Sequence, residues 1–145
     1  MKISTRYSDA IHILAYLNIY HQTKLSSENI AASVMTSPVV VRRIMAALQK
    51  AGIITTVQGS PKPGLAKDPD EINLLDVYYA VEGDRQLFAV DEKTNPQCIV
   101  GGNIQKVLGN YYQEVQNAAL GRLARITLGD VIDDILVAQK KKEAE

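Results

Sequence analysis

The side chains best suited to a chemical role are two adjacent arginines, Arg42 and Arg43, in a segment with helical spacing. An arginine in the first turns of a recognition helix can donate two parallel hydrogen bonds to a guanine edge. Val39 and Val40 could contact a thymine methyl group, and Ser37, with the free N–H groups of a helix start, suits a phosphate. The alternative for the arginines is ordinary surface charge, and Val40 could equally pack in the core.

The charge distribution favours a polyanionic partner, although the formal net charge is zero. Residues 1–67 carry eight Lys and Arg against two acidic residues, a net of +6, and residues 68–145 carry eight against fourteen, a net of −6. Such asymmetry can direct one face toward a polyanion and keep the other face away from it. The alternative is chance solvation of two surfaces. The remaining DNA-binding candidates in the basic half are Arg6, Lys24, Pro38, Lys50, Gln58 and Lys62.

Few other residues of the chain could support catalysis or bind a metal or cofactor. His12 and His21 lie on or just after the first predicted helix, without a catalytic triad, a metal-ligand spacing or a phosphate loop, so we expect no enzyme and no cofactor. Cys98 is the sole cysteine, which is typical of a cytoplasmic protein. It precedes a predicted helix start, where the helix dipole favours a thiolate, so it is a candidate redox sensor. The alternative is a small residue packed under a loop.

Three predicted helices position the candidate DNA-binding residues. Apolar residues at intervals of three and four predict a first helix over residues 5–20. Ser26 caps a short second helix, and Ser37 with Pro38 begins a third. Gly52 can adopt the left-handed conformation that ends this third helix.

A predicted β-hairpin follows at once. The β-branched run 53–57 is a strand, residues 58–64 are a turn rich in Gly and Pro, and a return strand begins at 65–66. Two short helices joined by a tight turn and followed by a hairpin form a winged helix-turn-helix. The sequence therefore predicts a mainly α fold with a small β-hairpin wing.

The C-terminal half is predicted to be helical apart from one irregular segment. Asn73 opens a fourth helix like a capping box, and Gly83 ends it. A long helix follows over 103–125, and a final helix capped by Thr127 ends at about Ala138. The predicted organisation is a winged helix-turn-helix domain (1–83), a linker or sensor loop (84–102), dimerisation helices (103–138) and a flexible tail (139–145).

The long helix carries an apolar stripe at spacings of four and three residues. This is more apolar surface than a small domain covers alone, so we expect a homodimer joined through this helix. The alternative is that the stripe packs on the first helix of the same chain. The predicted interface residues are Ile104, Leu108, Tyr111, Val115 and Ala118.

The order of these elements, and above all the segment from Ile72 to Gly83, resembles the Rrf2 family of bacterial regulators, which includes IscR and CymR. The resemblance covers nearly the whole chain. It implies a homodimer that binds a pseudo-palindromic operator, usually as a repressor. A second function is a protein-interaction regulator controlled by complex formation with a metabolic enzyme, as in CymR-like members, for which the acidic half offers a surface.

Two segments depart from the family pattern. The best-known members hold an iron–sulfur cluster with three cysteines before the long helix, whereas Cys98 stands alone here, so we expect a member without a cluster. The family usually places an arginine before the wing glycine, where this chain has Gln58 before Gly59. Lys62 is then the charge at the tip of the wing, and we expect it to contact a phosphate.

Overall fold

The computed structural model describes residues 4–56 and 63–145. The elements in these residues are α1 (Arg6–Ile19), α2 (Ser27–Val34), α3 (Pro38–Lys50), β1 (Ile54–Thr56), β2 (Pro63–Leu65), α4 (Leu74–Glu82), α5 (Ile104–Leu123) and α6 (Leu128–Ala144). A single 3-10 turn, Pro69–Glu71, precedes α4. The predicted class, mainly α with a small hairpin, is confirmed.

Side-chain caps begin four of these helices at the positions that the sequence predicts. The side-chain oxygens of Ser26, Ser37, Asn73 and Thr127 each accept a hydrogen bond from the N–H three residues later, at 3.1, 3.3, 2.9 and 3.0 Å. A cap of this kind satisfies one of the N–H groups that a helix start leaves unpaired, and it stabilises the helix by about 1 kcal/mol.

The helix-turn-helix is formed by α2 and α3, whose axes differ in direction by 103°. This angle is typical of the motif. The bend falls at Met35, which adopts the left-handed conformation (φ 65°) and donates its N–H to the Ala31 carbonyl at 2.8 Å. Thr36 donates to the same carbonyl at 3.1 Å. The turn therefore stays short, and α3 starts directly at its own cap.

The hairpin is antiparallel, with Ile54 opposite Leu65 and Thr56 opposite Pro63. The return strand thus begins at Pro63, and its predicted start at Leu65 is wrong. Pro63 has no N–H to donate, but a two-stranded ribbon needs only alternate residues to pair on the inner side, so a proline is tolerated there.

The core lies between α1, α3, α4 and the first turns of α6. Leu128 is 0% exposed and Ile132 is 6% exposed, so α6 contributes to the core of the predicted N-terminal domain. The Leu128 N–H donates to the Ile72 carbonyl at 2.7 Å, which ties α6 to the segment before α4. The side chains with the deepest burial are Ile13, Leu14, Leu17, Ile30, Val41, Leu48, Ile72, Val77 and Leu128.

The last helix is longer than predicted. It continues to Ala144, so its predicted end at Ala138 and the flexible tail beyond it disagree with the structure. Residues 139–144 are Gln, Lys, Glu and Ala, all strong helix formers, and Gln139 donates to Glu143 at 3.0 Å one turn later. Propensity and side-chain pairing therefore extend the helix although no core lies beneath it.

Residues 84–102 contain turns but no helix or strand. The segment is held against α5 by the Leu87 N–H, which donates to Gln116 Oε1 at 2.9 Å, and by the Phe88 and Tyr112 rings, 5.3 Å apart. In the described part of the chain no single helix has the length and apolar content of a membrane span. The pair α2 and α3 has them only when the two helices are counted together across their bend.

Candidate nucleic-acid interface

The third helix is anchored along one face and open along the other. Val41, Ile44 and Leu48 are 0%, 2% and 0% exposed, which orients α3 about its axis. With 3.6 residues per turn, the side chains opposite this apolar face must point to solvent. Those exposed side chains are Val39, Arg42, Arg43, Ala46, Gln49 and Lys50. The structure thus brings both predicted arginines and Val39 onto one convex surface.

The valines separate into two environments. Val39 is 53% exposed and lies on the outward face of α3. Val40 is partly buried and packs against the core. Val39 is therefore the better placed of the two to meet a thymine methyl group, and Val40 follows the alternative that the sequence left open.

The start of α3 offers fewer anion-binding groups than an average helix. Pro38 has no N–H, the Val40 N–H is bound by Ser37 Oγ, and the Val41 N–H is bound by the Ser37 carbonyl. The Val39 N–H and the exposed Ser37 hydroxyl remain to donate to a phosphate. A phosphate contact at this position would thus use one backbone and one side-chain donor.

The other predicted cations differ in their surroundings. Lys24 is exposed just before α2, where its carbonyl accepts from Asn29 Nδ2 at 3.1 Å. Arg6 lies on α1, and its Nη2 is 3.4 Å from Oε2 of the buried Glu82. Arg6 is thus engaged by a carboxylate, which weakens its candidacy for a DNA phosphate. The two wing candidates, Gln58 and Lys62, lie outside the described residues.

The base of the wing is tied to the recognition helix by a contact that sequence reasoning missed. Gln49 Nε2, in the last turn of α3, donates to Thr56 Oγ1 in β1 at 3.2 Å. The Ala66 N–H also donates to the Ile53 carbonyl at 2.9 Å, which closes the base of the hairpin. These bonds orient the base of the wing relative to α3. An exposed Gln near a helix end gives no local signal for such a pairing.

The long helix α5 is poorly covered by its own chain. Among its described side chains only Gln116 is buried, whereas Tyr111 is 61% and Val115 is 49% exposed. Ala118 is also exposed, and Ile104 and Leu108 are half-buried. Val107, absent from the predicted stripe, is 48% exposed beside Tyr111, one helical turn earlier. The predicted stripe takes one residue from each helical turn, so it leaves out Val107.

Cys98 is exposed within a tight turn. Its N–H donates to the Asn95 carbonyl at 3.2 Å, and its carbonyl accepts from the Gly102 N–H at 2.8 Å. Hydrogen bonds from the backbone of Gly101 and then Val100 lower the pKa of the Cys98 thiol. The local turn therefore supplies a physical cause for the lowered pKa.

A helix-turn-helix with arginines on its outward face and a hairpin at its flank defines a winged-helix DNA-binding protein. The chain matches the Rrf2 model, described as an iron-dependent transcriptional regulator, over residues 3–134. It belongs to the Rrf2 family, and it is a transcriptional regulator rather than an enzyme.

Known proteins share both sequence and fold with this chain. It is 46% identical over 133 residues to a candidate HTH-type transcriptional regulator, YwnA of Bacillus subtilis (strain 168), covering 92% of this chain and 98% of YwnA. A crystal structure of a candidate DNA-binding protein has 44% identity and a TM-score of 0.71, covering 88% of this chain and 98% of the other. The structure of CymR, the global cysteine regulator of B. subtilis, has a TM-score of 0.68 at 22% identity, covering 92% and 97%.

The family description raises the question of iron. Across residues 4–56 and 63–145, no group of three or more His, Cys, Asp or Glu is placed to hold a metal ion. The residues outside those ranges include none of these four types. Cys98 would supply a single thiolate, whereas an iron–sulfur cluster needs several ligands. The ligand set of one chain therefore does not fit a cluster.

Proposed function

We propose that this protein is a cytoplasmic, homodimeric repressor that binds a pseudo-palindromic DNA operator through α3 and the hairpin wing. The observation that supports it most directly is the outward face of α3, where Arg42 and Arg43 are exposed while Val41, Ile44 and Leu48 hold the opposite face in the core. A helix anchored in this way can enter a major groove without unfolding, because neither arginine is needed for packing.

Base reading is assigned to the first two turns of α3. Arg42 and Arg43 are separated by about 100° around the helix axis, so they flank Val39 and Ala46 on the exposed surface. One arginine can then face base edges while the other faces an adjacent strand. Lys50 in the last turn lies closer to the backbone of the duplex and is assigned to a phosphate.

The test begins with selection of genomic DNA fragments by the purified full-length protein, followed by affinity measurements by fluorescence anisotropy. Arg42→Ala or Arg43→Ala should weaken binding to the selected site by about 5- to 150-fold and relax base preference at one position. Arg125→Ala, an exposed arginine after α5, is the matched control and should leave affinity unchanged. Equal losses on all DNA sequences from both variants would contradict base reading.

The wing is tested separately through Lys62. If this lysine contacts a phosphate, Lys62→Ala should weaken binding to all sequences alike and lower the salt slope by about 1. A loss restricted to the selected operator would contradict a phosphate role for Lys62.

Dimerisation through α5 is supported by its exposed apolar face. Val107, Tyr111 and Val115 form a contiguous patch, and such patches on a small protein mark interaction sites. Two copies joined here would present two α3 helices to successive major grooves, about 34–36 Å apart along the DNA. Val115→Glu should convert a dimer to a monomer in sedimentation equilibrium, whereas Asn110→Glu, exposed on another face of α5, should not. A wild-type monomer would contradict this part of the proposal.

Thiol modulation through Cys98 is the third part of the proposal. The Cys98 thiol is exposed, so an oxidant can reach it, and its lowered pKa increases the fraction present as the reactive thiolate. Peroxide converts a thiolate to a sulfenate and water, and the sulfenate would disturb the hydrogen bonds from Gly101 and Val100. Peroxide should therefore weaken operator binding by the wild type and not by Cys98→Ser. Equal affinity of both proteins with and without peroxide would refute the modulation.

Repression itself is tested by in vitro transcription from a promoter that contains the selected site. Added protein should lower transcript yield, and higher yield would indicate an activator. The second candidate function, control through a metabolic enzyme, is supported only by the acidic C-terminal half. It would be favoured by a stable complex with such an enzyme in the absence of any operator affinity.

A further inference from the structure

A cavity of about 380 Å³ lies between α1, α4, α5 and the start of the loop 84–102. Among the described residues of α2, α3 and the hairpin none lines it, so it is separate from the described part of the proposed DNA-binding surface. Its volume falls within the range of small-molecule sites. The walls are mostly apolar, with Leu87, Leu120 and Leu123 among them.

The cavity contains one buried carboxylate with an unused oxygen. The Glu82 side chain is 6% exposed, and its Oε2 lies 3.4 Å from Arg6 Nη2 and 3.7 Å from Arg85 Nη1. Its Oε1 and the Nε of its ion-pair partner Arg6 are both buried, and neither has a hydrogen-bond partner among residues 4–56 and 63–145. An unpaired buried oxygen raises the free energy of the folded state, and a bound hydrogen-bond donor would remove that cost.

The cavity also carries positive charge beside this carboxylate. Arg85 and Arg122 both line it, against the single negative charge of Glu82. A purely cationic molecule would therefore be repelled, whereas a carboxylate would be attracted to the two guanidinium groups. The lining thus favours a molecule that carries both an anionic group and a hydrogen-bond donor.

The aromatic walls present rings rather than hydroxyl groups. Tyr7 and Tyr78 meet edge to face with centroids 5.3 Å apart. Tyr7 donates its hydroxyl hydrogen to the Leu74 carbonyl at 2.6 Å, and Tyr78 donates to the Arg85 carbonyl at 2.7 Å. Because both hydroxyl donors are already used, the tyrosines offer apolar surface to a ligand.

We infer that this cavity binds a small carboxylate with a neighbouring amino or hydroxyl group and an apolar body, the chemical class of apolar amino acids and 2-hydroxy acids. The carboxylate pairs with Arg85 and Arg122, and the amino or hydroxyl group donates to the Glu82 carboxylate. The apolar body lies against the tyrosine rings. Any effect of the ligand on operator affinity rests on the proposed function, whereas binding itself does not.

The test is isothermal titration calorimetry of the full chain with four probes at millimolar concentration. L-Leucine and 2-hydroxyisocaproate carry both groups, isocaproate lacks the donor, and isoamylamine lacks the carboxylate. The first two should bind, and the other two should bind at least about tenfold more weakly. Absence of heat from both L-leucine and 2-hydroxyisocaproate, or equally tight binding of isocaproate, would overturn the inference.

Three variants locate the binding. Glu82→Gln removes the charge and should weaken L-leucine binding by about tenfold or more. Ala119→Leu fills the cavity without touching the Glu82 ion pairs and should abolish binding. Glu114→Gln, an exposed carboxylate on α5 outside the cavity, is the matched control. Circular dichroism melting establishes that each variant is folded, and full binding by a folded Ala119→Leu protein would overturn the site.

A fourth measurement separates this inference from the proposed function. Fluorescence anisotropy on the selected operator, with and without L-leucine, reports DNA binding independently of calorimetry. Ligand binding in a protein without operator affinity supports the cavity assignment and contradicts the proposed function. Operator binding without any ligand binding supports the proposed function and contradicts the cavity assignment.

Discussion

Replacement of Leu128 by alanine tests whether α6 is part of the core or only an extension of the dimerisation region. Leu128 is 0% exposed at the start of α6. Its N–H donates to the Ile72 carbonyl at 2.7 Å, and the next turn of α6 buries Ile132. The backbone around the side chain is thus held on two sides, and it cannot readily collapse into the space that a smaller residue would leave.

The expected cost follows from this rigidity. Leucine to alanine substitutions in a core destabilise by about 2–5 kcal/mol, and sites that cannot collapse lie in the upper part of that range. We expect Leu128→Ala to lower the free energy of unfolding by about 3–4 kcal/mol. For a chain of 145 residues, this corresponds to a fall in Tm of roughly 10 °C.

The measurement is urea unfolding followed by circular dichroism, at one fixed protein concentration because self-association contributes to apparent stability. Leu136→Ala is the matched control, since Leu136 lies on the same helix and is 44% exposed. We expect it to cost less than about 1 kcal/mol. Equal costs for the two variants, or a cost below about 1 kcal/mol for Leu128→Ala, would refute the assignment of α6 to the core.

Three further substitutions test local features. Ser37→Ala should cost about 1 kcal/mol of stability in urea unfolding because Val40 N–H loses its cap, and Ser37→Thr should retain most of it; no loss in the alanine variant would contradict the cap. Burial, with Tyr78 as the second cause, raises the pKa of Tyr7 to about 12, so the neutral phenol is favoured by folding. That contribution is complete below about pH 10 and is lost as pH rises toward about 12. Tyr7→Phe should therefore lower the free energy of unfolding by about 1 kcal/mol at neutral pH, because its bond to the Leu74 carbonyl is lost. The stability of this variant should also fall less at alkaline pH than that of the wild type, and parallel pH profiles would refute this. At Gly129 a Cβ would collide with Asp70 Oδ1 and displace that carboxylate, so Gly129→Ala should stabilise the protein by up to about 1 kcal/mol in an Asp70→Ala background and by less in the wild type; an equal gain in both backgrounds would exclude the contact.

The local elements were predictable because their signals are local. Ser26, Ser37, Asn73 and Thr127 cap helices through bonds to N–H groups three residues away, and such bonds require no distant partner. The spacing of Val41, Ile44 and Leu48 likewise determines which side of α3 is apolar. The exposed positions of Arg42 and Arg43 followed from that spacing alone.

Other features depended on residues far apart in the chain. Arg6 is a surface cation by sequence, but in the structure it pairs with Glu82, 76 residues away. Leu128 lies in the predicted dimerisation segment, yet the 3-10 turn Pro69–Glu71 and the strand-like contact between Asn73 and Thr127 bring it into the core. Periodicity shows that a helix has an apolar face but not which surface covers it.

The division between sequence and structure is clearest at the proposed functional regions. The sequence by itself determined the winged helix-turn-helix, since turn residues, caps and apolar spacing specify it locally. Glu82 and Arg85 are three residues apart, so their pairing is local. Only the tertiary structure brings Arg122, from α5, to the same cavity, because that contact results from long-range packing, which no spacing along the chain encodes.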